Sequence, residues 1–466
     1  MQDTEQEGHR LKRTLRAWDL TAIGIGCIIG VGIFVLPGQE AATHAGPGII
    51  VSFAVAALAC ACSALCYAEL AAMIPVAGSA YTYGYATLGE IFAWIIGWDL
   101  VLEYMVGASL VSIGWSGYCV NFLNHALRPF GHEFPAAIAK SPWAHPPGLV
   151  NLPAVFIVIL LTLLLIRGIK ESARVNLAVV IIKVTVILAF IGIAVWYINP
   201  TNWHPFTPFG WGGVMTAAAI VFLAYVGFDA VSTTAEEAVN PQRDMPVGIV
   251  GSLAVATVLY MSVAAIMTGV VPYKQFKDVA EPVALVLNVL NMPLASMLVS
   301  LGAIAGMTSV ILVLLMGQPR ILFAMSRDGL LPPALSRVHG RYRTPYLASA
   351  VTGLIVAVAS GLTPISVVAE LCSIGTLFAF VIVCAGVLVL RYSRKELPRP
   401  FKVPLFPVLP SLGILLCGYL MVSLPGTAWI RFAVWLALGL IVYCVYGFKH
   451  SRLNAAAPEG PAPGSP

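Results

Sequence analysis

Charged positions are rare along this chain, and the uncharged windows between them set the expected architecture. No Asp, Glu, Lys or Arg falls between Glu40 and Glu69, between Lys183 and Asp229, from Pro282 to Pro319, or from Val403 to Ile430. Each window meets the roughly 20 apolar residues that a helix needs to cross a bilayer. The pattern predicts twelve spans, over 19–37, 46–73, 88–124, 150–166, 173–198, 211–235, 246–271, 293–325, 345–361, 364–391, 403–424 and 427–448. Composition agrees, with 59% of residues hydrophobic and 10% charged, where a soluble domain carries about 25% charged. The expected fold class is therefore an all-α polytopic membrane protein.

Lysines and arginines sort onto one side of those spans. Those within 10–16, 167–174, 320–343, 391–402 and 449–452, with Arg243, number twenty, against Arg128, Lys140, Lys274, Lys277 and Arg431 opposite. The positive-inside rule then predicts a multi-pass protein of the cell membrane with both termini cytoplasmic. The net charge of +5 follows from topology, so nucleic acid is not an expected partner. Residues 1–18 read as a polar cytoplasmic segment without a cleavable signal peptide. Residues 449–466 read as a flexible cytoplasmic tail, Ala/Pro/Gly-rich over Ala455–Pro466. Cys62 and Cys66 share a helix face, but no His or carboxylate is spaced to complete a metal site. No metal or cofactor is expected.

Two spans carry interruptions. Gly24, Gly26, Gly30 and Gly32 fall within nine residues of span one. Glycine weakens helix interiors, so this segment either unwinds or packs closely through a Gly26/Gly30 seam. Span six supplies a second interruption, Tyr225-Val226-Gly227-Phe228, followed by Asp229. The two spans run in opposite directions, and broken helices at corresponding places in two halves point to an inverted-repeat transporter with a midplane site. Free amides at such breaks suit a carboxylate and free carbonyls suit an ammonium. Together they match the head of an L-amino acid, the expected substrate.

Lys183 is the one charge between Arg174 and Asp229. A charge at bilayer depth costs roughly 2.5–3.5 kcal/mol on insertion scales and marks a functional site by default. An amine that alternates between charged and neutral forms can carry a proton; one that stays charged is a fixed latch between helices.

Several stretches, in order, carry a family resemblance: GIGCIIGVGIF (24–34), YAELAAMIPVAGSAYTYGYATLGE (67–90), GWDLVLEY (97–104), GFDAVSTTAEEAVNPQRDMPVGI (227–249), GAIAGMTSVILVLLMGQPR (302–320) and SRDGLLP (326–332). Over about residues 15–450 the chain resembles the amino acid–polyamine–organocation transporters, in particular bacterial relatives of the cationic amino acid transporters. The resemblance implies the arrangement of sodium-coupled leucine transporters. Ten core helices would form two inverted five-helix repeats (19–198 and 211–391), with two peripheral helices (403–448) and helices one and six broken at midspan. It places the substrate carboxylate on the amides of Gly30, Val31 and Gly32. The ammonium would lie on carbonyls at Ile29, Tyr225 and Gly227, with Phe228 as an aromatic lid. Val31 departs from the Ser, Ala or Thr of many relatives. Lys183 resembles the lysine that takes the place of the sodium ion in proton-coupled relatives, reaching carbonyls near Gly26 and the hydroxyl of Ser309 or Thr308. Protons are thus an expected partner.

Asp99 and Glu103 share a helix face. Glu103 reads either as a substrate-lining acid or, with Asp99, as a buried packing group. Asp229 reads as a helix cap, Glu236 and Glu237 as solvated acids near Arg243, Glu370 stays unassigned, and Trp94, Trp98 and Trp115 read as packing anchors. The chain has no HExxH, no G-x-S-x-G and no nucleotide loop, so an enzyme is not expected. The expected function is proton-coupled symport of small or medium neutral L-amino acids by alternating access. Cationic amino acid transport, exchange and an amino acid sensor are the alternatives. A small membrane subunit, if one exists, is not legible in the sequence.

Overall fold

The computed structural model describes residues 15–73, 89–144, 147–168, 173–228, 231, 238–342, 344–396 and 398–451, with backbone alone at 71, 173–176 and 241. The helices are α1 (Ala17–Ile28), α2 (Val31–Phe34), α3 (Leu36–Glu40), α4 (Ile49–Met73), α5 (Glu90–Leu127), α6 (Leu152–Ile166), α7 (Ala173–Ala194) and α8 (Gly210–Val221). They continue with α9 (Pro241–Val270), α10 (Pro282–Val289), α11 (Pro293–Arg327), α12 (Tyr346–Leu362), α13 (Ile365–Ser393), α14 (Val408–Val422) and α15 (Gly426–Val442). Among the described residues there is no strand, only an isolated bridge from Leu15 to Ala238.

Seven helical segments are long and apolar enough to cross a membrane: Leu36–Leu70, Glu90–Phe130, Leu177–Tyr197, Gln242–Val270, Pro293–Arg327, Ile365–Ser393 and Gly426–His450. Five shorter apolar helices accompany them: Ala17–Ile28, Leu152–Ile166, Gly210–Tyr225, Tyr346–Leu362 and Val408–Val422. Leu177, Ile181, Ile182 and Leu188 of α7 are exposed, whereas Lys183 on the same helix is fully buried. An apolar outside and a polar inside is what a bilayer demands, because hydrocarbon offers no hydrogen bonds. The molecule is a multi-pass membrane protein.

Helix starts follow local chemistry. Asn151 Oδ1 accepts from the Ala154 amide at 3.3 Å and opens α6. Helix α9 starts at Pro241, earlier than the predicted 246. Proline suits a first helical position, and Asp244 Oδ2 accepts from the Asn240 amide at 3.2 Å to close the turn.

The centre of the bundle is the antiparallel pair α5 and α11. Gly317 lets Tyr104 in, since a Cβ there would sit 2.5 Å from the ring. Polar pairs fix the register: Trp115 Nε1 donates to Thr308 Oγ1 at 2.9 Å, and Asn121 Nδ2 to Ser300 Oγ at 2.8 Å. At the rim, Trp94 Nε1 donates to Gly439 O at 3.0 Å and Trp98 Nε1 to Trp435 O at 2.8 Å, pinning α15 to α5. The three tryptophans are packing anchors.

Helix α13 is tied at both ends. At one end Glu370 accepts from Arg431 at 2.9 Å. At the other, the buried Glu69 of α4 accepts from Arg391 Nε at 2.9 Å, from Arg391 Nη2, and from the Val403 amide at 2.7 Å. Arg399 stands 3.6 Å from the same carboxylate.

Candidate functional site

The glycine-rich run is a chain break. Helix α1 ends at Ile28; Ile29 is extended (φ −76°, ψ 100°) and Gly30 non-helical before α2 starts at Val31. Among the described residues, the amides of Gly30, Val31 and Gly32 donate to no backbone carbonyl, whereas Ile33 N donates to Gly30 O at 3.2 Å. The second interruption breaks too: α8 tightens into a 3-10 turn over Phe222–Tyr225, and Val226 is extended. Gly227 follows with φ +120°, a conformation that L side chains rarely adopt.

The two breaks touch. A Cβ at Gly227 would lie 2.8 Å from the Cys27 carbonyl carbon, and one at Gly32 would lie 2.5 Å from Ala224 Cβ. Glycine at both positions is what permits the crossing. Tyr260 of α9 holds the junction, its hydroxyl 2.8 Å from both the Ile28 and Ala224 carbonyls.

A cavity of about 70 Å³ opens beside this junction, lined by Gly30, Val31 and Gly32, by Val226 and Gly227, and by Glu103, Tyr104 and Gly107 of α5, with Val310 and Leu314 of α11 closing it. Its walls are mostly apolar, with Glu103 as the acid. Lys183 enters from α7 toward the other side of the first break. Its amine is fully buried and donates to Gly26 O and, at 2.9 Å, to Ile29 O. Gly306 of α11 makes room for the stem, since a Cβ there would be 3.2 Å from Lys183 Cδ.

The predicted contacts therefore divide. Gly30, Val31, Gly32, Gly227 and Glu103 share the cavity. Ile29 differs from expectation: its carbonyl faces Lys183. Tyr225 is not among the residues that line the cavity, and its hydroxyl donates to Phe53 O at 3.0 Å. Phe228, expected as a lid, is fully buried, edge-on to Tyr67 with ring centroids 5.7 Å apart, and packs against Phe380. Thr308 is held by Trp115 and donates to Ile304 O, and Ser309 Oγ, although buried, makes no hydrogen bond among the described residues. Asp229, Glu236 and Glu237 lie outside the described residues, as does the Ala455–Pro466 tail. Tyr260 and Glu69 were missed. Each is a lone polar group in or at the edge of an apolar window, a signal of the kind that singled out Lys183.

A second, larger cavity of about 480 Å³ opens at the end of the bundle that carries Lys140 and Glu370. His44 Nδ1 is 2.8 Å from Glu40 Oε2 there. Burial pushes the Glu281 carboxyl up to about 7 despite the opposing charge of Lys140.

Comparison with known proteins follows the same lines. Residues 15–448 match the model of the amino acid permease family. The chain is 52% identical over 446 residues to the branched-chain amino acid permease BcaP of Bacillus subtilis (strain 168), covering 95% of each chain. It is 46% identical over 450 residues to the methylthioribose transporter of the same organism, covering 97% of this chain and 96% of that one. It is 33% identical to the cationic amino acid transporter 1 of Arabidopsis thaliana, covering 97% of this chain and 85% of the relative.

Proposed function

The chain belongs to the amino acid permease family, a family of transporters and not of enzymes, and we propose that it takes up small to medium neutral L-amino acids together with protons by alternating access. The observation that carries this reading is the cavity at the crossed breaks. On one side it has the amides of Gly30, Val31 and Gly32, which among the described residues donate to no backbone carbonyl and are fit for a carboxylate. Apolar walls at Val31, Val310 and Leu314 suit an aliphatic side chain. The name of the BcaP relative supports branched-chain substrates within that class. Glu103 on the cavity wall favours a second reading, a cationic side chain.

Coupling rests on Lys183. A protonated amine holds the carbonyls of Gly26 and Ile29 and so ties α7 to α1. Loss of its proton weakens that tie, and the bundle rocks to release substrate to the other side. The proposed frame has twelve spans, with two inverted five-helix repeats over 19–198 and 211–391 and two peripheral helices over 403–448. Both termini are cytoplasmic, so the Glu69–Arg391 end faces inward and the Glu370–Arg431 end outward. The five short apolar helices in register with predicted windows support this count.

Purified protein in liposomes, with an inward pH gradient and labelled leucine, tests the reading. Gradient-driven uptake that Lys183→Ala abolishes and excess arginine leaves intact is the expected result. Arginine competition selects the cationic reading, a need for internal substrate selects exchange, and unchanged uptake in Lys183→Ala removes the lysine from coupling.

A further inference from the structure

Arginines at one end of the bundle are treated unequally. At the end of α13, Arg391 and Arg399 share Glu69, and Arg394 lies 3.9 Å from Glu396. Arg167 at the end of α6, and Arg337 and Arg341 in the link from α11 to α12, are exposed and have no carboxylate partner among the described residues. The sequence explains the imbalance: from Arg320 to Arg343 stand five arginines and one acid, Asp328.

The link folds onto the foot of α6. Gly168 follows that helix with φ +78°, and a Cβ there would lie 3.3 Å from the Tyr342 carbonyl oxygen. Thr344 Oγ1 donates to Ile166 O at 2.8 Å. His339 gathers the turn. Its Nδ1 accepts from the amides of Arg341 and Tyr342 at 3.2 and 3.3 Å, and its ring meets Tyr346 of α12 edge-on at 5.7 Å. Arg167 and Arg341 each adjoin a residue of the Gly168–Tyr342 contact, so the two cations share one corner. The Arg341 guanidinium lies 5.7 Å from the centre of the exposed Tyr342 ring.

An apolar stripe leads away from that corner. Phe156, Ile159 and Leu163 are exposed, and with Arg167 they recur every three or four residues along one face of α6. Eleven residues separate Phe156 from Arg167 in numbering, about 16 Å at roughly 1.5 Å per residue. That is one leaflet of a hydrocarbon core about 30 Å thick. The neighbouring α12 adds exposed Leu354 and Ile355, and a Cβ on its Gly361 would lie only 2.8 Å from Val155 Cγ2 of α6. The positive-inside rule accounts for cations at this end. It does not account for an unmatched pair at the head of an apolar track of that length.

We propose that this corner binds an anionic phospholipid of the adjoining leaflet, its phosphate on Arg167 and Arg341 and its acyl chains along the Leu163–Phe156 stripe. Guanidinium groups fit phosphate oxygens in geometry as well as charge. Two cations without carboxylates favour a headgroup of net negative charge over a zwitterionic one. Tyr342 suits the headgroup level, where amphipathic rings concentrate. A free phosphate would meet the arginines and leave the stripe unused.

Native mass spectrometry of the purified full chain in detergent, titrated with phosphatidylglycerol or with phosphatidylcholine of the same acyl chains, reads retained lipid directly. Phosphatidylglycerol should be held roughly tenfold or more tightly, given two arginines at the membrane surface. Dihexanoyl phosphatidylglycerol, with the same head and short tails, should bind more weakly. The double variant Arg167→Gln/Arg341→Gln should lose the preference, Arg167→Lys/Arg341→Lys should retain part of it, and Arg394→Gln, at the paired end of α13, should keep it in full. Melting temperatures in lipid-free detergent separate lost binding from lost folding. Equal retention of the two long-chain lipids by the wild type overturns the site, as does equal binding of the dihexanoyl lipid. Displacement of phosphatidylglycerol by inorganic phosphate, or the same loss of preference in Arg394→Gln, overturns it too.

Discussion

A lysine and an aspartate, Lys183 and Asp99, are both fully withdrawn from solvent within long apolar helices, and they fare differently. Lys183 finds carbonyl oxygens at Gly26 and Ile29. Asp99 is equally buried, yet among the described residues neither of its oxygens has a hydrogen-bond partner, and Gly375 of α13 lies so close that a Cβ there would be 2.8 Å from Oδ1. The reason lies in the neighbouring backbone. Intact helices have every N–H committed, so they offer an acid few donors. Their carbonyls can accept a second bond, and a break such as Ile29–Gly30 frees more of them. A broken helix thus houses a cation where an unbroken one cannot house an anion. Such a group costs several kcal/mol if charged and unpaired.

Lys183→Met sharpens this contrast most. It leaves two carbonyls without a donor, at about 1–3 kcal/mol each, and gradient-driven uptake should fall by roughly tenfold or more, since tenfold is about 1.4 kcal/mol. Thermal unfolding in detergent and a liposome flux assay read the two effects. An unchanged flux would break the comparison at its stronger end. The buried clamp comes next: Glu69→Ala strips Arg391, Arg399 and the Val403 amide of their common acceptor and should cost about 3–5 kcal/mol in unfolding. The partly exposed Glu370–Arg431 pair at the opposite end of α13 makes the control, and Glu370→Gln should cost no more than about 1 kcal/mol.

A pH series probes the larger cavity. The Glu281 carboxyl titrates at about 7 in the fold against 4.5 ordinarily, so between these values the folded chain holds a proton that the unfolded chain has released. Stability from this group therefore declines as pH rises through that window. The melting temperature of the wild type should fall relative to Glu281→Gln over the same range. Lys140, Asp278, Glu40, His44 and the Glu370–Arg431 pair face the same space and are common to both proteins. The smallest effect belongs to Asp99→Asn. An isosteric amide replaces an acid with no hydrogen-bond partner among the described residues, so stability should change by less than about 1 kcal/mol. A large loss would mean that the carboxyl has a partner in some other state of the cycle.

Much of the fold was legible because a bilayer leaves few options. Uncharged windows of sufficient length must become helices, and a lysine surrounded by aliphatic residues must be turned inward and supplied with oxygen. The glycines of 24–32 likewise announced a weak helix, and the chain breaks there. Individual contacts were less legible. Ile29, expected on the substrate, gives its carbonyl to Lys183, because the backbone turns at that residue and the lysine arrives from a helix more than a hundred residues later. Phe228 could be placed beside a break, but whether it covers the cavity depends on Tyr67 and Phe380, which take its ring instead. Thr308 and Ser309 are neighbours with similar hydroxyls, and the position of Trp115 decides that Thr308 takes a bond from another helix.

The order of apolar and charged residues by itself determined that this protein is a bundle of membrane helices with one amine at its heart and two weak points in its backbone. Hydrophobicity and helix propensity are local, and they can be read one segment at a time. The tertiary structure alone decided which break meets which, what the amine holds, and that Arg167 and Arg341 share one corner. Those outcomes depend on helix rotation and on gaps of a few ångströms between segments far apart in the chain, which no local pattern encodes.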